Sequence, residues 1–341
     1  MNFIYFKKKI LLILISIVTL VGCQTRNKQN KVAENNFTQF VDPFIGSGGH
    51  GHVFVGANVP FGGVQVGPSN FYKGWDWSSS YHYSDSIVKG FTHLNLSGTG
   101  CADLGELIVI PTIGARKTRS GIQNSGFLEE VKKAWYLSPG EDKPKDAYAS
   151  FYSKETEVVK PGYYSVKLDD YNIKVELTAT ERVGIHRYTF PESDKARVII
   201  DLSEGNSDTS VDTYIRQIND TIFEGYRFSK GWAADQREFF TLMLSKPVIN
   251  FVIYNGNDKI EGNEVKGQYA KGFLEFKTIK DEVIHLKIGI SPVSSKNAMA
   301  NIKEEIPHWD FDKVVASADT KWNEQLSKIV IETEDISKKR I

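Results

Sequence analysis

The sequence predicts a mainly β protein: an antiparallel β-sandwich followed by a C-terminal linker helix. Three observations carry this reading. From Tyr163 onward, short β-branched and aromatic runs alternate with polar residues and are broken by Gly, Asn, Asp or Pro, as strands and turns require. The runs follow one another with no long helical pattern between them, which indicates antiparallel sheets packed face to face rather than a parallel α/β sheet. Only near the C-terminus does the period change: Val314, Val315, Ala318, Trp322, Leu326 and Ile329 recur every three or four residues, placing one apolar stripe on a helix that starts near Phe311.

The period of two is clearest at Ile173, Val175, Leu177 and Ala179, which puts those side chains on one face of a strand. Further strands are predicted at 196–202, 221–228, 239–244, 248–254, 272–276 and 286–290. Residues 41–111 differ. They are rich in glycine and aromatics and broken by small residues, which predicts ordered loop with short strands, the kind of region that carries function more often than sheets do. Residues 114–150 read as a solvated excursion with a charged turn at 142–146. The terminal helix must bury its stripe, either by folding back on the sandwich or by connecting to another domain.

At the other end, Lys7, Lys8 and Lys9 precede an apolar run over 10–21 and then Gly22 and Cys23, the order of a secretory signal. Leu20, Val21, Gly22 and Cys23 also fit a lipobox, in which cleavage leaves Cys23 at the N-terminus carrying acyl chains, so the protein is expected to be exported and held at a membrane surface. Residues 23–36 are polar and apolar-poor, as a flexible tether requires. With Cys23 lipidated, Cys101 is the one thiol left, so the fold must rest on its core rather than on a disulfide. Lys plus Arg number 42 and Asp plus Glu number 42. That balance gives no net field toward nucleic acid, and no nucleic-acid role is read here.

Within the loop region, Trp75 and Trp77 flank Asp76, a mixture of flat aromatic faces and a hydrogen-bonding group that suits a sugar. If the segment is extended, the two indoles share a face and Asp76 points away. Packing against a neighbouring domain is the other role open to them. His50 and His52 alternate with glycines and invite a metal reading, but a metal needs three or four convergent ligands and calcium prefers oxygen to imidazole. Hydrogen-bonding loop histidines are the reading that remains. His93 either meets a substrate or is buried and holds its loop. Asp103 and Glu106 look like a carboxylate pair, but their place at a loop-to-strand junction suits turn and hydrogen-bonding work.

Taken together, VDPFIGSGGHGHVFVGANVPFG over 41–62, GWDWSSSYHYSD over 74–85 and GFTHLNLSGTGCADLGELIVIP over 90–111 resemble glycoside hydrolase family 92. The family's members are exo-acting, calcium-dependent α-mannosidases. The resemblance implies a galactose-mutarotase-like super-sandwich over 37–300 and a helical linker over 301–341 leading to an (α/α)6 catalytic barrel absent from this sequence. It implies inverting hydrolysis, which needs one carboxylic acid on the leaving oxygen and one carboxylate activating water. Both belong to the barrel, as do most calcium contacts, so no catalytic residue and no metal ligand is assigned here, and the chain alone is expected to be inactive. Phe54, Gly56, Trp75, Asp76, Trp77 and His93 are the expected substrate-contacting residues at the rim of the pocket. Mannose-containing glycans, N-glycans among them, are the expected partners, with α-1,2 linkages the leading choice. Val53, Val55, Gly63, Gly67 and Asn95 depart from the family pattern and bear on that choice. The alternative is a free-standing, lipid-anchored carbohydrate-binding sandwich. An outer-membrane location, facing the periplasm or the exterior, is expected in either case.

Overall fold

The computed structural model describes residues 36–121 and 145–340. The expected signal segment, Cys23 and the tether up to residue 35 lie outside the described residues, as does the middle of the 114–150 excursion.

Two antiparallel sheets face each other, with strands numbered in chain order. The seven-stranded sheet runs β1 (Gly67–Ser69), β3 (Gly90–Thr92), β4 (Ile108–Thr112), β10 (Ser193–Asp201), β17 (Ala270–Thr278), β14 (Asn250–Asn255), β15 (Asp258–Ile260). The nine-stranded sheet runs β16 (Glu264–Gly267), β11 (Thr209–Gln217), β12 (Ile222–Lys230), β13 (Gln236–Leu244), β18 (Glu282–Ser291), β9 (Val183–Phe190), β8 (Ile173–Ala179), β7 (Tyr163–Leu168), β6 (Val158–Lys160). A small ribbon pairs β2 (Ile87–Val88) with β5 (Ser150–Phe151).

The interior follows from alternation. On β8, Ile173, Val175, Leu177 and Ala179 are all buried, as are Ile284, Leu286, Ile288 and Ile290 on β18. They meet Ala196, Val198, Ile200, Leu274 and Phe276 of the other sheet in one continuous core. Phe190 and Phe276 touch edge to face across it at 5.5 Å. Each large aliphatic side chain buried here contributes about 1.5–3 kcal/mol, so this interior dominates the folding free energy.

Two helices cover the outer face of the nine-stranded sheet. α1 (Ser295–Glu305) begins at Ser294, whose side chain accepts from the Asn297 amide, and α2 (Phe311–Leu326) begins at Asp310, which accepts from Lys313. These caps satisfy amides that the first helical turn leaves open. Ile302, Ile306, Phe311 and Val314 close over Val183 and Ile185. Gly289 on β18 permits the approach, since a Cβ there would stand 2.3 Å from the Ala298 carbonyl oxygen. The apolar stripe on α2 therefore folds back on the sandwich, while Ile329 beyond it is largely exposed. Among the described residues no helix is long and apolar enough to cross a membrane.

One expectation is corrected. The described end of the 114–150 excursion is not solvated: Ala147, Tyr148, Ala149 and Ser150 are fully buried. Tyr148 donates to Asp201 at 2.5 Å, and its carbonyl accepts from the Tyr171 hydroxyl at 2.8 Å. The segment returns between the layers because β5 must reach β2, and an aromatic with a satisfied hydroxyl fills the space.

Candidate functional site

Between and around strands β1 to β4, residues 41–111 form a loop layer on the edge of the sandwich, tied to α2 where the Trp322 indole donates to the Asn58 carbonyl at 2.8 Å. Two turns in it are imposed by glycine. In the first, the Val53 amide returns to the Gly46 carbonyl at 3.1 Å, and a Cβ on Gly51 would stand 2.0 Å from that same oxygen. Next to it His52 is held at φ 55, a left-handed conformation uncommon outside glycine. In the second, Gly74 at φ 107 opens a 3₁₀ turn over Trp75–Trp77.

These turns bring Trp75, Asp76, His50 and His52 together. His50 Nδ1 lies 2.6 Å from Asp76 Oδ1, and His52 Nε2 lies 3.8 Å from the same oxygen. The His52 ring meets Trp75 edge to face at 4.2 Å, and the His50 ring is 5.4 Å from it. Trp75 is half exposed, His50 more so, while His52 is buried and its Nε2 has no hydrogen-bond partner. A third segment locks the corner from behind: the Gly100 carbonyl accepts from the Trp75 indole at 2.7 Å, the Gly98 amide donates to the His52 carbonyl, and Ser97 Oγ accepts from the Phe54 amide at 3.1 Å. An exposed indole face beside convergent imidazole and carboxylate groups can pack on C–H groups and hydrogen-bond hydroxyls at once.

The other expected residues lie in different surroundings. The Trp75–Trp77 turn is helical, not extended, so the two indoles diverge. Trp77 stacks on His82 at 4.3 Å and donates to Asp85 at 3.0 Å, with Lys73 paired to the same carboxylate at 2.8 Å. It is partly exposed and engaged by these neighbours, and Asp76 points to the Trp75 side rather than away. The Phe54 ring covers Gly56 and Gly67, where a Cβ would stand 2.4 and 2.7 Å from ring carbons. His93 is fully buried, with Nε2 2.9 Å from His186 Nε2 and His186 in turn 2.7 Å from the Tyr188 hydroxyl. Burial pushes His93 down to about 3, and burial with His93 beside it holds His186 well below the imidazole range. Both are neutral core groups.

Asp103 and Glu106 are hydrogen-bonding groups between the loop layer and the β12–β13 hairpin. Asp103 accepts from the Ala233 amide and from Gln236, and Glu106 accepts from Ser229 at 2.6 Å and pairs with buried Arg227 at 3.1 Å. Glu238 beside them is buried with neither carboxylate oxygen partnered. Burial, and then the charge of Glu106, holds its carboxyl well above the usual range. Among the described residues no group of three or more His, Cys, Asp or Glu could hold a metal ion. A groove of about 320 Å³ lies elsewhere, between Phe37, Phe40, Leu326 and Ile329.

Sequence reasoning missed Ser97, Gly100 and the highly exposed Trp232. Only the last carried a signal: a large aromatic in Gly-Trp-Ala-Ala-Asp between two strands, where turn residues are expected.

Comparison with known proteins agrees with this architecture. Residues 40–291 match the glycosyl hydrolase family 92 N-terminal domain, and residues 297–341 match the glycosyl hydrolase family 92 catalytic domain. A family 92 α-mannosidase of Bacteroides thetaiotaomicron superposes with a TM-score of 0.81 at 31% identity, over 90% of this chain and 40% of that one. It has also been solved with mannoimidazole bound. A family 92 inverting mannosidase of the same organism shares the fold at 22% identity and a TM-score of 0.71, over 89% of this chain and 38% of its own. A secreted glycosidase of Arthroderma benhamiae, itself uncharacterized, is 24% identical over 338 residues, covering 89% of this chain and 40% of that protein. The chain thus spans about 40% of the length of these relatives.

Proposed function

This chain belongs to glycosyl hydrolase family 92, and from that premise we propose that it serves the removal of terminal mannose from α-mannosides, with the Trp75 corner as part of the wall that holds the sugar. The observation that carries this reading is the convergence of Trp75, Asp76, His50 and His52, drawn from two separate sequence blocks onto one exposed indole. That arrangement recognises a pyranose: the ring face packs on the indole while Asp76 and His50 take hydroxyls. Mannoimidazole bound to the similar Bacteroides enzyme supports mannose as the sugar.

The finer parts of the proposal are these. Hydrolysis is exo-acting and inverting, with α-1,2-mannosides of N-glycans as the preferred substrates. The general acid and general base that an inverting reaction needs come from the catalytic domain, of which residues 297–341 match a part. Calcium acts there as well. The described carboxylates near the corner support this division, because Asp76 is engaged by His50 while Asp103 is engaged by Ala233 and Gln236. Export and anchoring through Cys23 place the site outside the cytoplasm, as with the secreted fungal relative.

The test is spectroscopic. The indole N–H resonance of Trp75, assigned with a W75F variant of the purified chain, is followed while methyl α-mannoside is added to tens of millimolar. A saturable shift is expected, together with no mannose release from an α-mannobioside. A stationary Trp75 signal overturns the sugar-wall reading, and mannose release by residues 24–341 overturns the division of labour.

A further inference from the structure

The β12–β13 hairpin ends in residues 231–235, and its Trp232 is 82% exposed. The tip is nevertheless held firmly. The Gly231 amide donates to the Ala233 carbonyl at 3.0 Å, and Asp103 Oδ2 accepts from the Ala233 amide at 3.2 Å and from Gln236 Nε2 at 2.6 Å. Gly231 sits so close that a Cβ would stand 2.1 Å from Asp103 Oδ1. Behind the tip, the Ser229 hydroxyl lies 2.6 Å from Glu106 and 2.7 Å from Gln236. The hairpin is therefore clamped to residues 97–106, the same segment whose Ser97, Gly98 and Gly100 hold Phe54, His52 and Trp75. Gly100 and Asp103 are three residues apart, so their Cα atoms are separated by no more than about 11 Å. An indole left in water on a fixed tip, on the same supporting segment as a second exposed indole, has the placement of a ligand contact rather than of a core residue.

We propose that this hairpin is a second wall of the sugar site, with Trp232 stacking on a sugar farther along the glycan than the one at Trp75. The ligand class is an α-mannoside of two or more residues, and Trp232 sets chain-length preference. The inference rests on the sugar-wall reading above. Its test separates the two. Indole N–H resonances of Trp75 and Trp232, assigned with W75F and W232F variants of the full chain, are followed with methyl α-mannoside and with an α-1,2-linked mannotriose. Expected is a shift of Trp75 alone with the monosaccharide and of both with the trisaccharide, whose apparent affinity falls about tenfold in W232A. A Trp232 signal that stays still while Trp75 responds to the trisaccharide overturns the second wall and leaves the first standing. If neither indole moves with either sugar, both readings fall.

Discussion

Two of the histidine–aromatic clusters among the described residues differ in their access to water. At the corner, exposed His50 and buried His52 flank Asp76 and the half-exposed Trp75. In the core, His93 and His186 stack with Tyr188 beside them, all fully buried. Where water is present, imidazole can serve as a replaceable partner for a ligand. Where it is excluded, a charged imidazole is too costly and the pair becomes a neutral hydrogen-bonded strut between the loop layer and β9.

The largest expected effect breaks the strut. His186→Leu leaves His93 Nε2 and the Tyr188 hydroxyl without their partner, and should cost about 3 kcal/mol of stability in urea unfolding. Loss of under about 0.5 kcal/mol would show that the pair is not a strut. Next comes acid. His93 has its folded value depressed to about 3, so its contribution is complete above the unfolded value near 6.5 and is lost as pH falls toward 3. Between pH 7 and pH 5 the loss is about 2 kcal/mol. Glu238 has the opposite sign: its folded carboxyl is raised, so its contribution grows as pH falls. Stability should therefore drop more steeply from pH 7 to 5 in Glu238→Gln than in the unsubstituted chain, and equal slopes would contradict this balance.

Changes at the corner should be smaller for folding and larger for sugar. Gly51→Ala drives a Cβ toward the Gly46 carbonyl oxygen and should cost about 1–3 kcal/mol while displacing His50 and His52, read as loss of the Trp75 response to methyl α-mannoside. The smallest change in stability belongs to Trp75→Ala, about 1 kcal/mol, because half the ring is already in water and only its packing on His52 and its bond to the Gly100 carbonyl are lost. Even so, sugar binding by the corner should disappear, measured by saturation-transfer NMR with mannose. A stability loss comparable to that of His186→Leu would place Trp75 among structural groups.

Most of the sheet was legible because one face of each strand is apolar. β8, β12, β13 and β18 could be read for that reason. β9 could not: Val183 and Ile185 lie under the helices while His186, Tyr188 and Phe190 face the core, so burial on both sides erases the alternation. β11 failed for the reverse reason, since its sequence TSVDTYIRQ is polar on much of both faces. α1 was missed because only Ala298 and Ile302 of its eleven residues are buried, too few to print a stripe. At the site, sequence pointed to Trp75 and Asp76. It could not tell that Trp77 stacks on His82 and bonds Asp85 apart from Trp75, because the spacing is the same in an extended and a 3₁₀ segment while the directions differ.

By itself, then, the sequence determined the antiparallel sandwich, the helix on Phe311–Leu326 and the family, because periodicity and motif order are properties of the chain. Only the tertiary structure decided which histidines meet water, that His50 reaches Asp76 across 26 residues, and that Trp232 stands on the segment supporting Trp75. Those outcomes depend on which loops are pressed together. Contact between distant segments is set by the closing of the core, and no local pattern encodes it.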